Sequence, residues 1–338
     1  MISNALFFRF LTRALPVLTL AVVVFGAYVR LTDAGLGCPD WPGCYGHLSV
    51  PEDSPGVHLE QAGWSTRPLE SGKAWREMIH RYLASVLGLG VVLLAVSAFL
   101  QRPRVASGRL VYFLVPLICF QGMLGMWTVT LLLKPLVVTA HLFGGLTTLV
   151  LLWINLLMVE RTPRVSAENA VVPAWINVGL IVLTVQIFLG AWTSTNYAAL
   201  ACTDFPTCHG SWWPDTQFSE AFTLWRGLGI NYEFGVLNTP ARTAIHVAHR
   251  LGALAAVSVI LFVAANALRA ITPAVRRCAW CILAFLSLQV LLGISNVVFG
   301  LPLAVAVAHN GVAALLLLSV VTLRYLIASR PGNRPYAQ

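Results

Sequence analysis

An all-α polytopic membrane protein is expected from this sequence: eight transmembrane helices forming two parallel four-helix repeats, each with a histidine pair near the outer leaflet. Three observations carry that expectation. The chain is 58% hydrophobic and 10% charged, against roughly 25% charged in a soluble domain, and its apolar residues fall in long runs. A segment recurs without a gap: Gly26, Cys38, Asp40, Pro42 and Cys44 return as Gly190, Cys202, Asp204, Pro206 and Cys208. Arginine also concentrates on one side of the implied spans, which fixes an orientation.

Taken in order, the first span covers 12–31. Arg9 and Arg13 ahead of an apolar run also suit a signal peptide. Because Gly26 has its counterpart Gly190 in the fifth span, the first span is read as retained. A long outer loop, about Asp33 to Ala74, leads to the second span, 75–100. The third and fourth, 109–132 and 136–159, are joined by a tight turn at Lys134-Pro135, so they are antiparallel neighbours. A polar linker, Glu160 to Val172 with Pro163, separates the halves, 1–160 and 161–338. The fifth span, 173–195, opens the second half, and another long loop, about Asn196 to Pro240, precedes the sixth, 241–268. The seventh and eighth, 276–299 and 302–326, meet at Leu301-Pro302. Each span can cross roughly 30 Å of hydrocarbon at about 1.5 Å per residue. Four spans per half is an even number, so the repeats run parallel. Trp41, Trp64, Trp212 and Trp213 in the long loops are placed either across the helix ends or in the membrane interface.

The termini and the loops near 101–108, 160–172 and 269–277 hold thirteen arginines: Arg9, Arg13, Arg102, Arg104, Arg109, Arg161, Arg164, Arg269, Arg276, Arg277, Arg324, Arg330 and Arg334. Only Glu160 and Glu168 oppose them. Both termini are therefore expected in the cytoplasm of a bacterial inner membrane. The net charge of +9 is a topology signal, and no nucleic-acid partner is read from it.

Four of the seven cysteines form two Cys-x5-Cys pairs in the outer loops, Cys38 with Cys44 and Cys202 with Cys208. That compartment permits disulfides, whereas zinc sites favour closer spacing and more partners, so two short-loop disulfides are expected. Cys119, Cys278 and Cys281 are read as packing residues.

Histidine carries the chemistry. His80-Arg81 returns as His249-Arg250, and Gln121, Gly125 and His141 return as Gln289, Gly293 and His309. His80 and His141 fall about five residues into their spans and His249 and His309 about eight, depths on the order of 10 Å. A lone histidine on an apolar helix is usually a packing residue, but ionisable groups at matched membrane depth are costly and functional. Two imidazoles on neighbouring helices can clamp a haem from both faces. Gly88, Gly90, Gly144, Gly145, Gly252 and Gly311 either clear room for a flat macrocycle or serve close helix packing. Arg81 and Arg250 either pair with haem propionates or snorkel to the interface.

The repeat breaks at one chemical position. Glu77 precedes His80 by three residues and shares its helical face; its counterpart before His249 is His246. Glu77 can move protons or stabilise developing positive charge, or it can simply bond its neighbours at a helix entrance.

Glu77-Met-Ile-His80-Arg81, the loop Gly35 to Cys44, His141, His249-Arg250 and His309, on eight spans in two repeats, together resemble the haem A synthase family over nearly the whole chain. The resemblance implies an enzyme that oxidises a methyl group of haem O to formyl by two successive hydroxylations, supplying haem A to terminal oxidases. By the same likeness, the N-terminal half holds the substrate on His80 and His141, and the C-terminal half holds a haem b cofactor, with its iron, on His249 and His309. Glu77 takes the catalytic carboxylate role. Cys38–Cys44 matches a loop disulfide tied to activity, while the Cys202–Cys208 pair is not found in every member. Expected partners are membrane lipid, the haem O synthase that supplies substrate, an electron acceptor and a second copy of the chain. Two rivals share features: a dihaem cytochrome that only carries electrons, which does not require the Glu77/His246 break, and a transporter, whose sites lie nearer the midplane.

Overall fold

The computed structural model describes residues 4–52, 68–101, 107–162, 164 and 173–327. Trp64, Arg102, Arg104, Pro163, Glu168, Arg330 and Arg334 lie outside the described residues. The helices are α1 (Asn4–Leu31), α2 (Ser71–Leu100), α3 (Gly108–Thr130), α4 (Pro135–Val159), α5 (Pro173–Thr195), the short α6 (Phe218–Ala221), α7 (Thr239–Leu268), α8 (Pro273–Val298) and α9 (Leu303–Leu326). All but α6 are long and apolar enough to cross a membrane, and the chain is a multi-pass membrane protein. Helices suit these sequences because hydrocarbon offers no partner to backbone N–H and C=O groups, so each span must bond internally.

Several helices begin before their apolar runs. Asn4 donates to the Ser97 carbonyl at 3.1 Å, and the Ser97 hydroxyl donates to Asn4 Oδ1 at 2.7 Å. That clasp adds two turns to α1 ahead of the run at 12. Asn238 caps α7 by accepting from Ala241 N at 2.9 Å, which starts that helix at Thr239. Hydropathy sees the apolar stretch and misses the capped turns beyond it.

The helices close into two rings. In one, α1 packs on α2, α2 on α3, α3 on α4 and α4 back on α1; in the other the order is α5, α7, α8, α9 and back to α5. Neither α2 and α4 nor α7 and α9 touch, so each of those pairs is diagonal across its ring. The rings join through α1 with α9, α4 with α5 and α4 with α9. At the seam, Arg30 donates to the Ser194 carbonyl at 2.6 Å and stacks over Tyr197, whose hydroxyl meets Asp33 at 3.3 Å. Ser194 is the repeat counterpart of Arg30, and Tyr197 that of Asp33. A residue that meets its own counterpart lies beside the axis relating the two segments.

The α3–α4 and α8–α9 turns are as short as expected. Leu132 and Leu133 take positive φ in one, Gly300 and Leu301 in the other. Buried Lys134 donates to the Gly227 carbonyl beneath Trp225, and Tyr232 N donates to Leu132 O at 3.0 Å. These bonds tie the first ring's short turn to the second ring's long loop. Apolar packing fills each ring toward the end away from the cysteine loops. Leu11, Leu15, Leu87, Leu94 and Leu114 centre one core; Ile176, Ile260, Ile282 and Leu316 belong to the other. The histidines lie nearer the loop end than these cores.

Candidate haem-ligand pairs and the cysteine loops

His80 and His141 come from diagonal helices of the first ring, and His249 and His309 from diagonal helices of the second. Sequence reasoning had placed each pair on neighbouring helices; the closed rings put them on opposite ones. Within each pair the imidazoles lie in electrostatic range of each other. All four are half-buried. Helix starts also regroup their depths: His80 and His249 are the tenth and eleventh residues of α2 and α7, while His141 and His309 are each the seventh of α4 and α9.

Every imidazole rests on a glycine of the next helix. A Cβ at Gly26 would meet His80 Cε1 at 2.9 Å, and one at Gly190 would meet His249 Cε1 at 3.1 Å. The same atom of His141 lies 3.3 Å from a Cβ at Gly125, and that of His309 3.1 Å from one at Gly293. These four glycines seat the rings. Of the two readings open for the remaining glycines, macrocycle clearance or close helix packing, the contacts match packing. Gly144 and Gly252 make room for Gln121 and Gln186, Gly90 admits Leu15, and Gly311 packs on Val24. Two diagonal nitrogen donors, each held in place by a neighbouring helix, suit an iron macrocycle bound between them.

Three glutamines reach the rings. Gln121 Nε2 lies 3.1 Å from His141 Nδ1 and donates to the His141 carbonyl at 2.6 Å. Gln186 does the same for His249, at 3.0 and 3.1 Å. Gln289 Nε2 approaches His309 Nε2 at 3.2 Å. His80 instead stacks on Phe25, with centroids 6.4 Å apart, and its Nδ1 is buried without a partner. The repeat match had picked out Gln121 and Gln289 without a role, and Gln186 was missed. A lone amide in an apolar helix was the available signal, since buried amides need partners.

The two cysteine loops share one design. Cys38 bonds to Cys44 and Cys202 to Cys208. Asp40 accepts from the amides of Tyr45 and Gly46 at 2.6 and 2.8 Å; Asp204 accepts from those of His209 and Gly210 at 2.6 and 3.0 Å. Tyr45 and His209 both take positive φ. Glu77 Oε2 accepts from Cys38 N at 2.8 Å, and in the second loop His246 Nδ1 accepts from Cys202 N at 3.3 Å. The chemical break in the repeat therefore falls on one shared hydrogen-bonding position. Arg81 pairs with Glu77 Oε1 at 2.6 Å and donates to the Pro42 and Gly43 carbonyls. Arg250 donates to the carbonyls of Asp204 and Thr207, both at 2.8 Å. Both guanidinium groups thus staple the cysteine loops, a use that neither propionates nor snorkelling foresaw. Trp41, Trp212 and Trp213 are exposed. Of the free cysteines, Cys278 is buried and its thiol meets the Ser319 carbonyl, while Cys119 and Cys281 are exposed.

The Thr207 hydroxyl, with the Gly210 and His209 amides, holds the Asp204 carboxyl down at about 2. A depressed carboxylate stabilises its fold above the ordinary value near 4 and loses that contribution as pH falls through the lower one. Hydrogen-exchange protection of the His209 and Gly210 amides is therefore expected to persist at pH 4 and to fade toward pH 2. Asp204→Asn should weaken it at pH 4 and above, with the difference from wild type closing toward pH 2.

The arrangement has known relatives. The profile of the COX15-CtaA family, described as cytochrome oxidase assembly protein, matches residues 9–321. A Shewanella oneidensis protein named "Heme A synthase" is 45% identical, covering 94% of this chain and 96% of its own. A Caulobacter protein of the same name is 28% identical over 92% of this chain and 93% of its own. One from Shouchella clausii is 30% identical over 60% and 64%. With the family profile matching nearly end to end, this chain belongs to the COX15-CtaA cytochrome oxidase assembly protein family.

Proposed function

We infer that the chain is a haem A synthase, an oxidoreductase that converts one methyl group of haem O to a formyl group. The observation that carries this is the pair of rings, each with two glycine-seated imidazoles on diagonal helices, and, among the described residues, a carboxylate one turn from the histidine in the first ring where the second has His246. His80 and His141 hold the substrate in the first half, 1–160. His249 and His309 would hold haem b in the second, 161–338, where its iron would supply one-electron chemistry. Arg250 keeps Nε, buried and without a partner, as a donor for a propionate; Arg81 offers the same service beside its loop contacts.

A bis-histidine iron has no open position for oxygen. Oxidation then proceeds at the ring edge by removal of electrons, with water supplying oxygen. Two two-electron steps each release two protons and take up one water, giving an alcohol and then a hydrated aldehyde, which loses water to leave the formyl. Glu77 takes protons or stabilises positive charge on the substrate. Electrons leave toward an unidentified acceptor. The arginine distribution supports cytoplasmic termini and cysteine loops on the outer side of a bacterial inner membrane.

Purified protein given haem O and an oxidant should yield haem A. In labelled water the formyl oxygen should carry label, and an unlabelled formyl after correction for exchange sinks the water route. The shared part played by Glu77 and His246 on the cysteine loops favours one second reading, a dihaem electron carrier. Haem bound stably without any conversion of haem O would select it.

A further inference from the structure

The four imidazoles are not held alike, and the difference follows the two halves. On α3 and α8, Gln121 and Gln289 occupy matched positions against His141 and His309. The other two histidines differ. Gln186, one turn before Gly190 on α5, reaches His249 Nδ1 at 3.0 Å. Its counterpart on α1, one turn before Gly26, is Val22, a buried residue of the apolar core. The surroundings are built to match. Gly252 opens the space that Gln186 fills, since a Cβ there would collide with the amide. At the counterpart of Gly252 stands Leu83, packed against the same core as Val22.

We propose that Gln186 makes His249 a retaining ligand and that Val22 leaves His80 a releasing one, so that this single pair decides which haem stays and which leaves. The proposal rests on the haem-ligand reading above. An imidazole that gives Nε2 to iron keeps its proton on Nδ1 and needs an acceptor there. Gln186 lies at that atom: its Nε2 faces Nδ1 of the unliganded ring, and its Oε1, buried without a partner among the described residues, would accept from Nδ1–H once the amide turns over. His80 Nδ1 is buried with no partner among the described residues. A group that holds the far nitrogen orients the ring and raises its basicity, and losing it typically costs about 10- to 100-fold in metal affinity. An enzyme that keeps one haem as cofactor and must release another as product needs this asymmetry in this direction. Gln186 is a positioning residue here, acting through His249.

The test loads the purified full-length protein with haem O, mixes it with excess apomyoglobin as haem acceptor, and follows the b and o haems retained by extraction and chromatography. Gln186→Val should release haem b about 10- to 100-fold faster with release of haem O unchanged, which also serves as the folding control. Val22→Gln with Leu83→Gly should slow release of haem O by a similar factor. Midpoint potentials separate hydrogen bonding from packing. Gln186→Val should raise the haem b potential and Gln186→Glu, which keeps an acceptor, should lower it. Unchanged off-rates in both variants, or potentials that move in the same direction, overturn the proposal. Wild-type protein that holds no haem overturns the ligand reading itself, a separate and visible failure.

Discussion

Glu77→Gln is expected to lower conversion of haem O by about 100- to 10,000-fold, the usual worth of a positioned proton-transfer group, with both haems still bound. Glutamine keeps the size of the side chain and an oxygen that can accept from Cys38 N. It removes the charge and the proton affinity. The carboxylate is otherwise well placed for a chemical role. Glu77 is 5% exposed, and it lies one turn from His80 on the same helix. Its contacts with Cys38 and Arg81 fix its position and tie it to the loop. Glu77→Ala would be a poorer test. Both variants lose the ion pair with Arg81, but alanine also leaves the buried Cys38 amide and Arg81 Nη2 without the acceptor that Glu77 supplies, and an unsatisfied buried donor costs about 1–3 kcal/mol more, so loss of activity could follow from loss of the loop. His246→Gln supplies the comparison. It edits the same hydrogen-bonding position in the other half and should leave turnover within about threefold of wild type, far short of a proton-transfer effect. The measurement is haem A formed per bound haem, with haem spectra recorded on the same samples. Full activity in Glu77→Gln would remove the carboxylate from the chemistry and leave it a loop staple.

Much of this was legible in the sequence, for a physical reason. Hydrocarbon forces each span to be helical and apolar, so eight runs gave eight helices. The gapless match from Gly26 to Cys44 announced two loops with one conformation, and Asp40 and Asp204 explain why: each carboxylate gathers the same two amides. What stayed hidden depended on which helices touch. Nothing in a linear pattern says that α2 and α4 are diagonal, so the imidazole pairs were assigned to neighbours. Glycines were noticed near each histidine in sequence, but the ones that seat the rings sit on other helices. Gly26 and Gly190 had already appeared as repeat landmarks without a purpose. The arginines were legible as partners for anions, and Arg81 does meet Glu77, but the acceptors of Arg250 are carbonyls of the folded loop, which exist only once that loop closes.

Those seats make the second large effect. Gly190→Leu is expected to empty the second ring of haem and leave the first loaded, and Gly26→Leu to do the reverse. A Cβ at either position already crowds an imidazole carbon, at 3.1 and 2.9 Å, and leucine adds three more carbons toward the same ring. Overpacking of this kind costs about 1–3 kcal/mol, which at one bound ligand is roughly a 5- to 150-fold loss of affinity. Gln186, on the same helix as Gly190, holds His249 against its seat, and Phe25, beside Gly26, stacks on His80, so a ring pushed off its seat also loses these contacts. Gly122 gives an internal control on α3: a Cβ there meets nothing within 4 Å. Gly122→Leu should leave both haems in place, and helix propensity favours leucine over glycine by under about 1 kcal/mol. Extracted haem b and haem O per mole of protein read the outcome for each ring separately. Loss of both haems in either seat variant, with Gly122→Leu intact, would mean that the rings are not independent binding units. Retention of both would place the macrocycles elsewhere than between the seated histidines.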